Sequence, residues 1–213
     1  MFGMNHSSRN PLKILLTAAG LATFVHSLPA QDAIELEDAQ QAARKLAASA
    51  TAITDAPFTV EVDREKPQGI KAKDGGLIVL PDRKLSAELL AAANSAITPV
   101  GQLWTLKLVL AEKGSAVPAA KLRRITVVDD EKEREVQLYF LGATKSDKGA
   151  LELIVCGKDK EPLVRVPLVA REGAKQEFPI EVSGEKHDDR TGMLTLRLFG
   201  QFEAQLVLMR EEE

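Results

Sequence analysis

Cysteine and aromatic residues are scarce in this chain of 213 residues, which contains one cysteine and 4% aromatic residues. A single thiol cannot form an intramolecular disulfide, so a disulfide-rich scaffold is excluded and stability must come from burial of a core. A chain of this length can bury roughly 70% of the surface that it exposes when unfolded. The low aromatic content also argues against a platform that stacks sugars or bases on aromatic side chains.

Acidic residues are absent from the first thirty positions, where Arg9 and Lys13 precede an uncharged run from Ile14 to Val25. A short basic region followed by an apolar run is typical of a secretory signal peptide. The run is shorter than the roughly twenty residues that a membrane-spanning helix needs. We therefore predict a cleavable signal peptide at residues 1–30, the alternative being an N-terminal helix that packs on the folded domain.

Loss of the signal peptide would also change the charge of the protein. Residues 1–30 contain two of the 28 basic residues and none of the 31 acidic ones, so the formal net charge would move from −3 to −5. An acidic surface repels phosphate backbones unless basic residues gather on one face, and no stretch of this sequence gathers them without interleaved acids. We expect a mildly acidic protein that binds no nucleic acid and has no integral membrane span after processing.

Residues 31–100 combine helical and strand patterns, because apolar residues recur every three or four positions in two stretches and alternate in two others. The first helical stretch carries mostly alanine on its apolar face. We expect it to pack on its own domain, and the alternatives are a docking helix for a partner or a dimerisation helix. Ser86 is a suitable N-cap for the second helix. The predicted elements are helices Ala33–Ile53 and Leu85–Ile97 and strands Phe58–Val62 and Leu77–Leu80.

Residues 101–213 show a regular succession of strand patterns separated by Gly, Asp and Lys clusters. Strands that begin roughly every ten residues, with no room for crossover helices, predict an antiparallel sheet. Leu194, Leu196 and Leu198 fall on one face, and Gly200-Gln201 predicts a two-residue type II′ turn after them. The predicted strands are Trp104–Ala111, Arg124–Asp129, Arg134–Leu141, Leu151–Cys156, Leu163–Val169, Phe178–Ser183, Met193–Phe199 and Phe202–Met209.

The predicted fold class is therefore mainly β. We expect an antiparallel β-sandwich or barrel of about eight strands at residues 101–213. A mixed α/β segment with two short helices at residues 31–100 precedes it.

His187 would be the one histidine left after processing, and it is the side chain that titrates nearest to neutral pH. With Asp188 and Asp189 beside it, it could contribute to a metal site. Adjacent loop residues rarely aim at one point, however, and no second histidine is present to complete a transition-metal site. We expect a solvated hairpin tip. A catalytic triad is still weaker, because the chain has no Gly-x-Ser-x-Gly motif.

Three other motifs resemble functional sites only superficially. Cys156 follows Leu-Ile-Val, and since apolar surroundings raise the pKa of a thiol, we expect a buried structural cysteine. The acidic run Asp129–Glu133 lacks the ligand spacing and central glycine of a calcium loop, which leaves a charged hairpin turn. Gly75 and Gly76 precede a strand pattern without the Gly-Lys-Ser/Thr of a phosphate-binding loop, so we predict a turn there.

These patterns predict a non-catalytic protein without catalytic, cofactor-binding or metal-binding residues. The expected protein is an exported, periplasmic or secreted, binding, assembly or structural module. It would offer a β-sheet surface or a concave end to another envelope or secreted protein, or to a small apolar ligand. The alternative is a carboxylate-dependent hydrolase or lyase with its site on loops at one end of the sandwich. With 31 acidic residues available, the sequence does not single out a catalytic pair.

The signal-peptide hypothesis predicts the N-terminus of the processed chain. Cleavage after Ala30 gives a protein that begins at Gln31, whereas the alternative cleavage after Ser27 leaves three more residues. N-terminal sequencing of the protein recovered from the extracytoplasmic fraction distinguishes the two. An intact Met1 on protein that stays in the cytoplasm would contradict export.

Overall fold

The computed structural model describes residues 33–72, 75–129, 132–173 and 175–211. The predicted signal peptide at residues 1–30 lies outside these ranges. Within them, two antiparallel β-sheets pack face to face, and a helix with the segment that follows it covers the other face of the first sheet. The fold is a β-sandwich and is not closed into a barrel, as the mainly β prediction allowed.

The described part of the chain contains two α-helices, one short 3₁₀ helix at Ala119–Lys121 and thirteen strands. The helices are α1 (Leu36–Ala50) and α2 (Ala87–Ala91). The strands are β1 (Gln68–Ala72), β2 (Gly75–Pro81), β3 (Thr98–Leu106), β4 (Leu108–Glu112), β5 (Ser115–Ala116), β6 (Arg123–Asp129), β7 (Lys132–Lys145), β8 (Leu151–Cys156), β9 (Pro162–Pro167), β10 (Val169–Ala170), β11 (Ile180–Lys186), β12 (Thr191–Leu198) and β13 (Phe202–Arg210).

Strand β7 is the central strand of the first sheet, whose order is β1-β2-β3-β7-β8-β9. Strand β6 pairs with the first half of β7, and β8 pairs with its second half. Strand β3 crosses residue 100, so strands from both predicted regions of the chain share this sheet. The second sheet has the order β11-β12-β13-β4-β5, with β10 also paired to β13.

The main core lies between the two sheets and follows the alternation read from the sequence. Leu194, Leu196 and Leu198 of β12 point into it and are at most 1% exposed. Leu77 and Leu90, from the region before residue 100, belong to the same core. Both parts of the chain therefore contribute to one hydrophobic interior.

A second core lies on the opposite, outer face of the first sheet. In β7, Val136, Leu138 and Phe140 point to this face, whereas Tyr139 and Leu141 point to the main core, and all five are buried. A strand that is apolar on both sides needs cover on both sides. The outer cover comes from α1 and the segment between α1 and β1.

Helix α1 is shorter than the predicted helix Ala33–Ile53. Its alanine-rich sequence favours the helix, and Glu37 and Asp38 in the first turn interact favourably with the helix dipole. Ala39, Ala43 and Leu46 form the buried face, as the periodicity predicted. The helix packs mainly on β6, with lesser contacts to β1 and β2.

Two predicted strands are wrong in a way that tertiary packing explains. The predicted strand Trp104–Ala111 is two strands, because Lys107 has a φ of 57° and the chain passes there from β3 in the first sheet to β4 in the second. The predicted strand Phe58–Val62 forms only an isolated bridge at Val62. Its apolar side chains instead pack onto the outer face of the first sheet.

The second predicted helix, Leu85–Ile97, is confirmed at its start and wrong at its end. Ser86 accepts a hydrogen bond from the backbone N–H of Leu89 at 3.2 Å, which is an N-cap. The helix ends at Ala91, and three residues later the backbone carbonyl of Asn94 accepts the N–H of Lys145 on β7 at 2.8 Å. At this point the chain is bonded to the first sheet and no longer continues the helix.

The predicted β12–β13 hairpin is present, but its turn differs from the predicted type II′ turn. The backbone N–H of Gln201 donates to the carbonyl of Leu198 at 3.0 Å. The central residues are therefore Phe199 and Gly200, with φ values of 53° and 66°. Two central residues with positive φ are characteristic of a type I′ turn.

Close approach of β2 and β3 makes Gly75 intolerant of a side chain. A Cβ atom at Gly75 would lie 2.1 Å from the carbonyl oxygen of Leu106. We expect Gly75→Ala to lower the free energy of unfolding by roughly 1–3 kcal/mol, as overpacking does. Urea denaturation measures the change. Gly173→Ala is the matched control, since nothing lies within 4 Å of its added Cβ, and equal stability of the two variants would contradict this account.

Candidate functional site

A cleft of about 420 Å³ lies between α1 and the outer face of the first sheet. We call it the α1 cleft. Its floor comes from the sheet, one wall comes from the helix, and most of its described lining side chains are apolar. The lining residues are Ile34, Asp38, Gln41, Ala42, Lys45, Leu46, Ile70, Lys71, Gly75, Gly76, Leu77, Ile78, Trp104, Thr105, Leu106, Val127, Arg134 and Val136.

Small residues on the wall and at the edge of the floor leave this space open. Ala42 projects from α1 where a larger residue would fill the gap, and it is half-buried. Gly75 and Gly76 begin β2 and line the cleft, although the sequence predicted a turn there. They lie where the backbones approach closely, since a Cβ at Gly76 would lie 2.7 Å from the carbonyl oxygen of Ile70.

The floor is apolar and its polar groups are already engaged. Trp104 is 2% exposed, and its Nε1 donates a hydrogen bond to Oε1 of Gln102 at 3.1 Å. Thr105 lies opposite Leu77 in the β2–β3 pairing, so its side chain points to the main core and not to the face of Trp104. Burying a polar group of a ligand against Trp104 would therefore cost desolvation without a compensating bond from the indole N–H.

The charged groups among the described lining residues are three bases and one acid. Lys71 Nζ lies 3.9 Å from Oδ2 of Asp38, and both side chains are more than half exposed. Lys45 lines the cleft from α1, and Arg134 lines it from β7. Bases therefore outnumber acids among the described lining residues, and Lys45 and Arg134, like Lys71, already have interaction partners.

The N-terminal end of α1 is attached to the edge strand β1. The backbone N–H of Ile34 donates to the carbonyl of Gly69 at 3.0 Å, and Ala33 forms a bridge with Ile70. The side chain of Ile34 packs where a Cβ on Gly69 would collide with it, 2.7 Å away. One end of the cleft wall is thus fixed to the sheet.

The segment after α1 is attached to the sheet by Arg123, a basic residue that is 9% exposed. Its guanidinium donates to Oδ1 of Asp55 at 2.8 Å and to the backbone carbonyls of Asp55 and Lys158 at 3.1 and 2.9 Å. It also lies 6.0 Å from the ring centre of Phe140. The hydrogen bond and charge of Arg123 lower the pKa of Asp55.

The predicted candidate His187 lies with Asp188 and Asp189 on the exposed tip between β11 and β12. The Thr191 side chain and the backbone N–H groups of Arg190 and Thr191 lower the pKa of Asp188 to about 2. Asp189 pairs with Lys186 at 2.5 Å. Both carboxylates are thus bound by groups of the same hairpin. In the described part of the chain, no group of three His, Cys, Asp or Glu side chains could hold a metal ion.

A wider opening of about 950 Å³ lies at the same end of the sandwich. Arg124, which lines it, binds Glu135 and Glu211 at 2.8 Å each. Behind them, the hydroxyl of Tyr139 accepts the backbone N–H of Leu110 at 3.3 Å, and burial raises the pKa of Tyr139 to about 12. The carboxylates at this end are therefore ion-pair partners and turn caps.

The remaining predicted motifs take positions in the sheet. Strands β6 and β7, which flank the predicted turn in the acidic run Asp129–Glu133, pair antiparallel up to Asp129 and Lys132. Residues 130 and 131 lie outside the described ranges. Cys156 ends β8 and is completely buried, and burial raises the pKa of its thiol to about 11.

The sequence did not identify the α1 cleft. Trp104 was assigned to a strand, but nothing in the alternation marked its side as the one that faces a helix. The lining comes from α1, β1, β2, β3, β6 and β7, which are distant along the chain. The available signal was the alanine-rich face of the first helix together with the paired glycines that begin β2.

The buried thiol predicts slow modification of the native protein. We expect a disulfide reagent to label Cys156 slowly in the folded state, at a rate that rises with pH without a plateau below about pH 10, because only the thiolate reacts. Labelling in urea should be fast. Ser115→Cys in a Cys156→Ala background is the exposed control. Native labelling of Cys156 as fast as this control would contradict its burial.

Comparison with known proteins does not supply a function for the cleft. No protein-family model, no curated protein and no solved structure matches the chain. Within the described residues, neither helix is long and apolar enough to cross a lipid bilayer. The functional conclusion therefore depends on the geometry and chemistry of the α1 cleft.

Proposed function

We propose that this protein is an exported, non-catalytic binding module that holds the apolar part of a small ligand in the α1 cleft. The observation that carries the proposal is an open apolar space against a sheet face that is otherwise covered. Its volume of about 420 Å³ falls within the range of about 300–1,000 Å³ typical of small-molecule sites. Apolar lining with few polar groups is also typical of such sites.

Burial of the ligand's apolar surface would provide the binding free energy, at about 25 cal/mol per Å² removed from water. Ile78 and Leu106 supply half-buried aliphatic surface from two strands, whereas Trp104, Val127 and Val136 line the cleft but are themselves buried. Because these residues lie on a paired sheet, the floor is formed before a ligand arrives. A preformed site avoids the entropy cost of ordering side chains on binding.

The arrangement supports binding rather than catalysis. On the outer face of the sheet, the indole N–H of Trp104 is already bonded to Oε1 of Gln102. The carboxylates near His187 cap a turn or form ion pairs, and the pKa values of Asp188 and Asp189 are lowered. A lowered pKa is the opposite of what a general acid at neutral pH needs.

Trp104 provides a direct test, since it is the one tryptophan in the chain. The full-length protein is titrated with N-phenylnaphthylamine, a neutral apolar fluorophore, and energy transfer from Trp104 to the probe is followed. We expect saturable transfer at a stoichiometry of one. Absence of saturable binding would overturn the proposed function.

Variants of α1 locate the probe. Ala42→Phe should fill the cleft from the helix side and weaken probe binding by about tenfold or more, since the ligand and the new ring would compete for one space. Ala42→Leu should have an intermediate effect. Ala48→Phe, on an exposed position of the same helix that does not line the cleft, is the matched control. Urea denaturation establishes that each variant is folded, and equal binding by all three would place the probe elsewhere.

A further inference from the structure

We propose that the apolar run Ile14–Val25 occupies the α1 cleft for as long as it is attached to the chain. The cleft would then become free for an external ligand only when the predicted signal peptide has been removed. This inference rests on the proposed function, because it concerns when the same cleft can bind. Residues 14–25 themselves lie outside the described ranges.

The described chain begins at an edge of the α1 cleft. Ala33 forms an antiparallel bridge with Ile70 on β1, and the backbone N–H of Ile34 donates to the carbonyl of Gly69 at 3.0 Å. Ile34 itself lines the cleft. Because the bridge is antiparallel, the chain that precedes Ala33 is directed along β1 towards Lys71, which is another lining residue. The segment before Ala33 therefore starts at the cleft.

The link between Ala33 and the apolar run is long enough to place the run anywhere in the cleft. Seven residues, 26–32, separate Val25 from Ala33, and an extended chain of that length spans about 23 Å. The strands that line the cleft, from β1 to β6, are separated by four inter-strand spacings, or about 19 Å. A short tether of this kind gives the run an effective concentration in roughly the millimolar range.

The run also matches the cleft in chemistry, because it is apolar and contains no charged residue. Ile34, Ile78 and Leu106 line the cleft and are only half-buried. They offer apolar surface that other apolar side chains can remove from water. The space of about 420 Å³ has room for a few side chains of the run. The larger apolar side chains of the run are Ile14, Leu15, Leu16, Leu21, Phe24 and Val25.

Occupation by the run competes with an external ligand and does not abolish its binding. A ligand binds only those molecules in which the cleft is open, so its apparent dissociation constant rises by the inverse of the open fraction. The full-length chain therefore still binds one N-phenylnaphthylamine per molecule, but at a higher concentration. Hydrolysis of the Ala30–Gln31 peptide bond by an endopeptidase consumes one water and leaves a carboxylate on Ala30 and an amine on Gln31. The competition then ends, because the run is no longer tethered.

Charges placed in the run test the competition on the full-length protein. Leu16→Asp/Leu21→Asp introduces two carboxylates, and the cost of desolvating them opposes burial of the run in the cleft. We expect this double variant to bind N-phenylnaphthylamine about tenfold more tightly than the unaltered full-length chain, as for a cleft that is open in roughly a tenth of the unaltered molecules.

Ser7→Asp/Ser8→Asp is the matched control, since it adds the same charge before the run. This control should bind the fluorophore like the unaltered chain, and urea denaturation establishes that both double variants are folded. Equal affinity of all three proteins would overturn the proposal. An equal gain in both double variants would also overturn it, because the gain would then come from charge alone.

Disulfide trapping locates the run directly. In the full-length chain with Cys156→Ala, a cysteine at Ala19 or Ala22 in the run is combined with one at Ala42 on α1, and a mild oxidant joins thiols that meet. We expect an intramolecular disulfide whose yield does not change on dilution. The control partner is Ala48→Cys, which is exposed on the same helix and does not line the cleft, and it should give a much lower yield.

Three results of the trapping experiment would contradict the proposal. Equal yields at Ala42 and Ala48 would show that the run contacts the helix without preference for the cleft. Absence of a disulfide from both run positions would show that the run does not reach the cleft. A disulfide between two chains, with a yield that falls on dilution, would show that the run enters the cleft of a second copy.

The fluorophore titration separates failure of this inference from failure of the proposed function. If the unaltered chain and Leu16→Asp/Leu21→Asp bind the fluorophore equally, the cleft binds ligand but the run does not occupy it, and the proposed function stands. If neither protein binds the fluorophore, the proposed function fails, and the inference that rests on it fails too.

Discussion

The first sheet is apolar on both faces, and this constraint shapes the rest of the structure. Along β7, successive side chains such as Leu138, Tyr139 and Phe140 are all buried although they point to opposite sides. Exposing either face would leave a large apolar surface in water, at about 25 cal/mol per Å². The second sheet packs on one face, and the other must be covered by what remains of the chain.

The outer cover is small compared with the surface beneath it. A helix of 15 residues and the segment that follows it lie on a sheet of seven strands. The buried face of the helix is mostly alanine, which approaches the sheet closely but fills little space. The α1 cleft is the part of the outer face that this cover does not fill, so the site and the fold have the same physical origin.

The cover of the outer face, α1 and the segment that follows it, is attached to the sheet at two places. At one end the chain joins the edge of the sheet through Ile34 and Gly69, and at the other Arg123 binds the segment that follows α1. A buried guanidinium is costly without partners, and Arg123 has a carboxylate and two carbonyls. The cleft lies between these attachments, and two of its lining residues, Ile70 and Leu77, also belong to the main core between the sheets. Ala42 lines the cleft from the helix and is not part of that leucine-rich interior.

Sequence patterns located most strands because their alternation and their turn residues are local signals. Strand β8 has its predicted bounds, and the leucines of β12 face the core as expected. The failures occur where distant contacts override a local pattern. Lys107 has no feature that marks a left-handed backbone, yet it carries the chain from one sheet to the other. Phe58–Val62 alternates like a strand, but its apolar side chains pack on the outer face of the first sheet.

The sequence by itself determined the mainly β class, the antiparallel pairing of the later strands and the burial of Cys156, because each follows from short-range periodicity and connection length. Only the tertiary structure decided that α1 lies across the outer face of the first sheet and that Trp104 and Val127 share a cleft with Lys45. These residues come from strands and a helix far apart in the chain. Their meeting depends on how much of a two-sided sheet one short alanine helix can cover, which is a property of the assembled layers.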